Sequence, residues 1–231
     1  MATVLITGAN RGLGLEFCTQ YVKAGWNVIA CCRQPEQSTA LVALAENYSN
    51  LRIEALDVAD FGQIDALSQK LSTTAVDVLI NNAGIYGDNS TIHFGQLDYQ
   101  AWSNTLLINT QAPVKMAEAF LNQLKAGNSK LIVNISSLMG SMTDNTSGGS
   151  LLYRSSKAAL NAVMKSLSIA LKQQAIGVLI FHPGWAKTDM GGPNALINAD
   201  ESVSGMRQVI DKFSLDQSGC FIKYDGTIMP W

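Results

Sequence analysis

The feature that most constrains the fold is a regular alternation of short apolar runs with longer segments of helical apolar spacing. Runs of strand length, rich in Val, Ile and Leu, occupy residues 3–6, 27–31, 51–56, 76–80, 130–135, 177–181 and 220–224. Segments with helical spacing occupy residues 13–24, 35–47, 61–72, 99–124, 152–173 and 201–213. A parallel strand needs a crossover helix to bring the chain back. The alternation therefore predicts an α/β fold built on a doubly wound parallel sheet.

Length and composition favour one domain without a membrane segment. The chain has 231 residues, which is enough to bury a continuous core without disulfides or metals. It contains no internal repeat or second composition regime, so we expect a single domain over residues 1–231. No run approaches about 18 uninterrupted apolar residues, which predicts no membrane partner. Because the N-terminus lacks a signal-peptide pattern, we expect a cytoplasmic location.

Charge and cysteine usage exclude two further classes of site. The formal net charge is -2, so the bulk charge does not attract nucleic acid. The four cysteines show neither a CxxC pair nor Cys/His ligand spacing, and are typical of small buried hydrophobic residues in a reducing compartment. The sequence predicts no nucleic-acid partner and no metal site.

A glycine-rich turn follows the first predicted strand and opens the first helix. Residues 7–14 read TGANRGLG, with glycines that let the backbone approach a pyrophosphate closely. Free N–H groups and the positive end of the helix would meet the charge of the phosphates. The residues of this turn that we expect at a dinucleotide are Gly8, Asn10, Arg11, Gly12, Leu13 and Gly14. By itself the turn is also consistent with a strand-to-helix connection that binds nothing.

The end of the second strand indicates which dinucleotide is preferred. An acidic residue at this position would hydrogen-bond a ribose 2′-hydroxyl, but residues 30–33 read ACCR. Arg33, together with Arg11, could clamp a 2′-phosphate through its planar guanidinium. The sequence thus favours NADP(H) over NAD(H), although arginines are also commonly solvated surface residues.

Two residues of the segment 152–173 are candidates for acid/base chemistry. Tyr153 and Lys157 are four residues apart, so their side chains share one face of the helix. A neighbouring ammonium lowers the pKa of a phenol by favouring the phenolate. Tyr153 would donate a proton to a carbonyl oxygen that a second donor, Ser136 or Ser137, holds in place. A Tyr-x-x-x-Lys pair alone is also typical of exposed helix surfaces.

Several motifs occur in order over almost the whole chain. They are the glycine turn at 7–14, NNAG at 81–84, Ser137, YRSSK at 153–157, and Pro183-Gly184 with Thr188. In this combination the sequence resembles the short-chain dehydrogenases/reductases. The segments 153–161, 182–192 and 224–227 resemble, more narrowly, the branch that contains the C-factor and sniffer-type carbonyl reductases.

The resemblance implies a Rossmann fold and an NADPH-dependent oxidoreductase that moves hydride between the nicotinamide and a carbonyl or secondary alcohol. Tyr153 would be the general acid/base, while Lys157 would lower its pKa and bind the nicotinamide ribose. Ser137 matches the family's substrate-orienting serine better than Ser136 does. Asn109 matches an asparagine that holds a water linking Lys157 to solvent.

The resemblance also implies further contacts to the cofactor. They are Asp57 and Val58 along the adenine, Asn81, Ala83 and Gly84 supporting the sheet and the adenosine side, and Pro183, Gly184, Trp185 and Thr188 at the nicotinamide end. Turn chemistry also explains Asn81 and Asn82, because Asn tolerates strained backbone and caps helices. Asn109 is also explained as a mid-helix residue that bonds its own backbone. His93 and His182 have no partner that the sequence identifies, so we expect structural roles for both.

The segment after Thr188 forms the lid over the substrate in this family. Here we expect it within residues 188–205, short enough for an open pocket or one completed by another subunit. The expected apolar wall consists of Tyr86, Met139, Met142, Trp185 and Met190, although such residues are also typical of plain core. We expect a small hydrophobic carbonyl or alcohol as the substrate.

The two longest helical segments predict an oligomer. Residues 99–124 and 152–173 are apolar or small around much of the helix circumference, and only one side can cover the sheet. We expect the other side to pack against a symmetric partner in a homodimer or homotetramer.

Two other functions are compatible with the sequence. One is a dinucleotide-binding signalling or regulatory protein with little or no turnover, and the other is a lyase or epimerase that keeps its nicotinamide bound. A pure sensor would not need Ser137, Tyr153 and Lys157 together, and a lyase or epimerase usually has a larger substrate region. The sequence therefore favours the oxidoreductase.

Overall fold

The computed structural model describes residues 1–89 and 91–231 and contains one seven-stranded parallel sheet. The strands are β1 (Thr3–Thr7), β2 (Asn27–Cys32), β3 (Leu51–Ala55), β4 (Val78–Asn81), β5 (Leu131–Ile135), β6 (Gly177–His182) and β7 (Phe221–Lys223). Their spatial order is β3-β2-β1-β4-β5-β6-β7, and all neighbours pair in parallel. The winding reverses between β1 and β4. The predicted doubly wound sheet is confirmed.

Helices cover both faces of the sheet. They are α1 (Gly12–Lys23), α2 (Thr39–Asn47), α3 (Phe61–Lys70), α4 (Tyr99–Leu106), α5 (Ala112–Ala119), α6 (Leu121–Ala126), α7 (Leu151–Leu171) and α8 (Ala199–Asp211). Successive residues of a strand point to opposite faces, so neighbours in β1 enter different cores. Val4 shares a buried cluster with Phe17 of α1, and with α2 and α8. Leu5 shares the other cluster with Met164 of α7, and with α3 and α5.

Within the described residues, no helix combines the length and apolar character needed to cross a membrane.

The segment predicted as one helix over 99–124 is interrupted. After α4, residues Leu107–Gln111 form a widened π-helical turn before α5 begins, and α6 starts separately at Leu121. Pro113, the second residue of α5, favours the widened turn, because it has no N–H to donate to the carbonyl of Asn109 four residues earlier. The prediction of one continuous helix was wrong at this point.

The segment 188–205, within which the lid is expected, contains a loop and the start of a helix. From Ala199 onward the chain is α8, which packs on α1. Arg207 donates from Nη1 to the carbonyl of Gln20 at 3.0 Å, and Gln20 donates to the carbonyl of Asp200 at 3.1 Å. Residues 199–205 therefore belong to the helical layer over the sheet, which leaves 188–198 as the loop beside the strand ends.

Candidate active site

A cleft of about 760 Å³ opens at the carboxyl ends of the strands, beside the reversal between β1 and β4. Its volume and place are those expected of a ligand site in a doubly wound sheet. The predicted site residues that line it are Gly8, Asn10, Arg11, Gly12, Leu13, Arg33, Asp57, Val58, Ala83, Gly84, Ser137, Tyr153, Lys157, Pro183, Gly184, Trp185 and Thr188. Gly14, Asn81 and Asn109 were also predicted, but lie behind this lining.

The loops after β1 and β4 meet at the glycine turn. Gly8 has a φ of 65°, which favours glycine, and a Cβ there would lie 2.8 Å from the Cα of Ala83. Asn82 donates from Nδ2 to the carbonyls of Thr7 at 2.9 Å and Gly8 at 3.0 Å. A Cβ on Gly14 would overlap the carbonyl oxygen of Gly8, so Gly14 supports the turn from the helix side. Asn82, which belongs to the NNAG motif expected on the adenosine side, also lines the cleft.

The first turn of α1 fits an anionic group. Its N-cap residue, Arg11, is extended, and among the described residues no side chain caps the helix and no acid occupies its first turn. The N–H groups at this end are therefore available to a pyrophosphate, and the helix dipole favours negative charge there. The residues present fit a dinucleotide.

The two predicted phosphate-binding arginines differ in their surroundings. Arg33 follows β2, is exposed and borders the cleft beside Gln37 and Ser38. Arg11 pairs with Asp189 of the loop after β6, with 2.5 Å between Nη1 and Oδ2 and with side chains 68% and 72% exposed. Because an exposed ion pair contributes little, Arg11 can exchange this carboxylate for a phosphate at small cost.

Asn81 lies below the cleft rather than in it. Its Nδ2 donates to Oδ1 of Asn134 on β5 at 2.9 Å and to the carbonyl of Pro113 on α5 at 3.2 Å. The side chain is buried and ties the sheet to the helical layer. This agrees with the expected support of the sheet and places Asn81 away from direct cofactor contact.

Tyr153 and Lys157 share the cleft-facing side of α7, and both are buried, at 8% and 5% exposure. Burial raises the pKa of Tyr153 to about 12. A hydrogen bond with Ser137 acts to lower this pKa, and the nearby Tyr86 acts to raise it. Burial lowers the pKa of Lys157 to about 8. The Nζ of Lys157 donates to the carbonyl of Ile135 at 2.8 Å.

The expected lowering of the phenol pKa by the ammonium is not what the structure shows. The Nζ of Lys157 lies 5.7 Å from the centroid of the Tyr153 ring, and burial outweighs any help from its charge. A phenol whose pKa is about 12 keeps its proton at neutral pH. At neutral pH Tyr153 therefore holds the proton that a general acid needs.

The two serines after β5 have different partners. Ser136 is 2% exposed and donates from Oγ to Oδ1 of Asn161 at 2.6 Å. Its hydroxyl proton is therefore already used in a buried hydrogen bond. Ser137 begins the short 3-10 turn Leu138–Gly140, accepts from the N–H of Met139 at 3.1 Å, and interacts with Tyr153. The geometry therefore favours Ser137 as the second donor.

Asn109 lies in the π-helical turn and is 1% exposed. Its Oδ1 accepts from the N–H of Ile85 at 2.9 Å, while Nδ2 donates to the carbonyl of Ile85 at 2.8 Å and to Oγ of Ser156 at 2.9 Å. The side chain braces the loop after β4 against α7. Both polar atoms of the side chain are therefore engaged within the protein.

The two histidines have local partners. Nδ1 of His182 lies 3.2 Å from the donating N–H of Leu138, which fixes the turn that begins at Ser137. Burial, followed by the charge of Lys223, lowers the pKa of His182 to about 4, so it is neutral at neutral pH. His93 is exposed, with Nδ1 3.2 Å from the carbonyl of Phe94. These contacts agree with the expected structural roles.

Four of the five residues expected in an apolar wall border the cleft: Tyr86, Met139, Trp185 and Met190. Met142 does not, and its side chain is 76% exposed. Trp185 is held by a hydrogen bond from Nε1 to the carbonyl of Gly191 at 2.8 Å.

In the part of the chain that the structure describes, no three His, Cys, Asp or Glu side chains group as metal ligands.

Comparison with known proteins agrees with this site. The family model described as short chain dehydrogenase matches residues 2–196. The C-signal protein of Myxococcus xanthus is 42% identical over 166 residues, which is 72% of this chain and 99% of that protein. The carbonyl reductase Sniffer of D. melanogaster has 36% identity and a TM-score of 0.93, with complete coverage of both chains.

A second solved structure extends the comparison to a bound cofactor. The NADPH-bound carbonyl reductase from chicken fatty liver is 35% identical, with a TM-score of 0.92, and the match covers 100% of this chain and 99% of that one. The family model covers most of the chain, and both structural matches cover all of it. The chain therefore belongs to the short chain dehydrogenase family and resembles, within it, C-signal and the sniffer-type carbonyl reductases.

Proposed function

We propose that this protein is an NADPH-dependent oxidoreductase that reduces a carbonyl group to an alcohol, with Tyr153 as the proton donor. The observation that carries the proposal is one cleft with two ends. One end is the anion-binding first turn of α1, and the other is the buried, protonated phenol of Tyr153. A dinucleotide whose phosphates rest at the first end would reach the second.

The preference for NADPH rests on charge at the ends of β1 and β2. Arg33 and Arg11 border the cleft, and no acid ends β2 to accept a ribose 2′-hydroxyl. A guanidinium suits a 2′-phosphate through its paired donors. The NADPH-bound relative from chicken fatty liver supports the same choice.

The bound nicotinamide supplies the hydride, and the side chains of this chain manage the proton. Tyr153 donates its hydroxyl proton to the substrate oxygen as that oxygen gains charge. Ser137 gives the second hydrogen bond to the same oxygen. Lys157 stabilises the phenolate left behind and binds the ribose hydroxyls. As the resemblance to the family implies, Asn109 would hold a water that links Lys157 to solvent and so returns the proton.

The substrate we propose is a small hydrophobic carbonyl compound. Tyr86, Met139, Trp185 and Met190 supply an apolar wall in the cleft that holds Tyr153, and residues 188–191 also border this cleft. We also propose that the protein is cytoplasmic and forms a homodimer or homotetramer through the outward sides of α4, α5 and α7. A monomeric elution volume at micromolar concentration would contradict the oligomer.

The proposal is tested by NADPH consumption with a panel of aromatic aldehydes, quinones and ketones. We expect wild type to turn over at least one class, and Tyr153→Phe to lose a factor of about 10² to 10⁴ in kcat, because the general acid is gone. NADPH binding, measured by fluorescence titration, is expected to survive in the variant. Tyr99→Phe, at a side chain 70% exposed on α4, serves as the matched control and should keep wild-type kcat.

A second candidate function is a dinucleotide-binding signalling protein, which the 42% identity to C-signal favours. It predicts NADPH binding without turnover, so wild type and Tyr153→Phe would be equally inactive on every carbonyl of the panel. That outcome would replace the reductase proposal.

A further inference from the structure

The start of α7, the helix that carries Tyr153, is capped by a residue far away in the sequence. Its own N-cap residue, Ser150, has a left-handed backbone (φ 45°, ψ 49°), and within the described part of the chain its side chain makes no capping bond. Asp88 takes this role from the loop after β4. Its Oδ1 accepts from the N–H of Leu152 at 3.2 Å, and its Oδ2 from the N–H of Tyr153 at 2.8 Å. One carboxylate thus pairs two of the four N–H groups that a helix start leaves open.

The loop that carries Asp88 follows a tightly specified path. Gly87 has a φ of 79°, and a Cβ there would overlap Oγ1 of Thr105, which is fully buried in α4. The hydroxyls of Tyr86 and Ser150 share a hydrogen bond of 2.7 Å. The rings of Tyr86 and Tyr153 pack with centroids 4.9 Å apart. Residues 86–88 therefore contact α4, the start of α7 and the phenol ring of Tyr153.

The same loop begins in the cofactor cleft. Asn82, Ala83 and Gly84 line the cleft wall, and Asn82 is bonded to the glycine turn. Four residues beyond Gly84, Asp88 holds the backbone of Tyr153 itself. A single short segment thus connects the wall that would face the dinucleotide to the helix turn that carries the proton donor.

We propose that Asp88 is a positioning residue for the reaction. Its carboxylate fixes the first turn of α7, and through it the placement of the Tyr153 hydroxyl relative to the cleft. The inference rests on the proposed function, in which Tyr153 donates the proton, and adds a residue that touches neither substrate nor cofactor.

The test uses Asp88→Ala and Asp88→Asn in the full chain. Alanine removes both acceptors, whereas asparagine keeps one acceptor oxygen and caps helices about as well as aspartate. A small displacement of a reacting group is costly, so we expect Asp88→Ala to lower kcat by roughly 10- to 100-fold. The KM for NADPH should stay within about twofold, since the cofactor wall is intact. Asp88→Asn should restore most of kcat.

Hydrogen–deuterium exchange gives a readout that does not depend on activity. In Asp88→Ala the peptide spanning residues 151–157 should exchange faster than in wild type, because two amides of the first turn lose their acceptor. Asp98→Ala is the matched control. Oδ1 of Asp98 caps α4 by accepting from the N–H of Ala101 at 2.9 Å. The Asp98→Ala variant should have a lower thermal stability than wild type but an unchanged kcat.

Wild-type kcat and wild-type exchange in Asp88→Ala would overturn the proposal, as would an Asp88→Asn variant impaired as severely as Asp88→Ala. If Asp88→Ala does not fold, Asp88→Ser replaces it, because its short hydroxyl cannot reach both amides, and the same two outcomes decide. A wild type without turnover on any carbonyl would instead defeat the proposed function, while the exchange measurement would still test the cap.

Discussion

At the scale of single residues, burial sets the protonation of the two titrating side chains in the cleft. A charged group loses solvation when it is buried, so burial lowers the pKa of an ammonium and raises that of a phenol. Lys157 accordingly has a pKa of about 8, and Tyr153 a pKa of about 12. At neutral pH both side chains therefore hold their protons.

The lowered pKa of Lys157 makes a prediction about stability and pH. Below pH 8 the folded and unfolded chains both hold the ammonium proton, but between pH 8 and 10.5 the folded chain has lost it and the unfolded chain still binds it. Stability rises with pH wherever the unfolded state binds more protons. We expect the unfolding free energy of wild type, relative to Lys157→Met, to rise by about 2 kcal/mol from pH 7 to pH 10.

Urea unfolding of both proteins at pH 7, 8, 9 and 10 measures this difference. Groups that titrate in both proteins, such as the buried Tyr21, cancel in the comparison. Lys165→Met is the matched control, because Lys165 is an exposed residue of the same helix and its difference from wild type should not change with pH. If the difference in unfolding free energy between wild type and Lys157→Met stays constant from pH 7 to pH 10, the lowered pKa is contradicted.

At the scale of elements, the loop after β4 organises the site. It bonds the glycine turn through Asn82, the π-helical turn through Ile85 and the start of α7 through Asp88. At its beginning, Asn81 of β4 bonds the carbonyl of Pro113 on α5. These contacts join parts of the chain that strand pairing alone would not hold in register. The relative placement of the cofactor wall and the catalytic helix therefore depends on this loop.

Removal of the Asn82 amide should weaken cofactor binding. The side chain holds two carbonyls of the glycine turn, and a typical hydrogen bond contributes about 1 kcal/mol. In Asn82→Ala the turn is less preorganised, so we expect the Kd of NADPH to rise about tenfold. Fluorescence titration measures the Kd.

Asn104→Ala, at an exposed position of α4, is the control for this experiment and should bind NADPH as wild type does. Asn82→Ala with an unchanged Kd would show that the tie between the two loops does not serve cofactor binding.

At the scale of the whole molecule, the preference for one dinucleotide should be measurable as a difference in thermal stability. A ligand that binds the folded chain raises the free energy of unfolding by an amount that grows with its affinity. We expect NADPH to raise Tm more than NADH at equal concentration, because Arg33 and Arg11 favour the 2′-phosphate. In Arg33→Ala the difference between the two cofactors should shrink.

Thermal unfolding with each cofactor measures both Tm shifts. Arg52→Ala is the control, because Arg52 pairs with Glu54 on β3 and does not line the cleft, so its loss should leave the difference between cofactors unchanged. Equal shifts by NADPH and NADH in wild type would refute the preference.

Much of this fold could be predicted from sequence because the governing rules are local. The period of apolar residues distinguishes strand from helix within a few residues, and a parallel sheet follows from their alternation. The period did not reveal the π-helical turn between α4 and α5, which precedes Pro113, because the apolar spacing continues through it.

By itself the sequence determined the order of elements, the parallel sheet they build, the glycine turn and Ser137 just past their strands, and Tyr153 and Lys157 on one face of a helix. Only the tertiary structure decided that Ser136 is committed to Asn161, that burial dominates the pKa of Tyr153, and that Asp88 caps α7 from 65 residues away. The reason is the distance along the sequence over which each kind of interaction acts. Secondary structure depends on neighbours along the chain, whereas desolvation and side-chain hydrogen bonds depend on which distant segments the fold brings together.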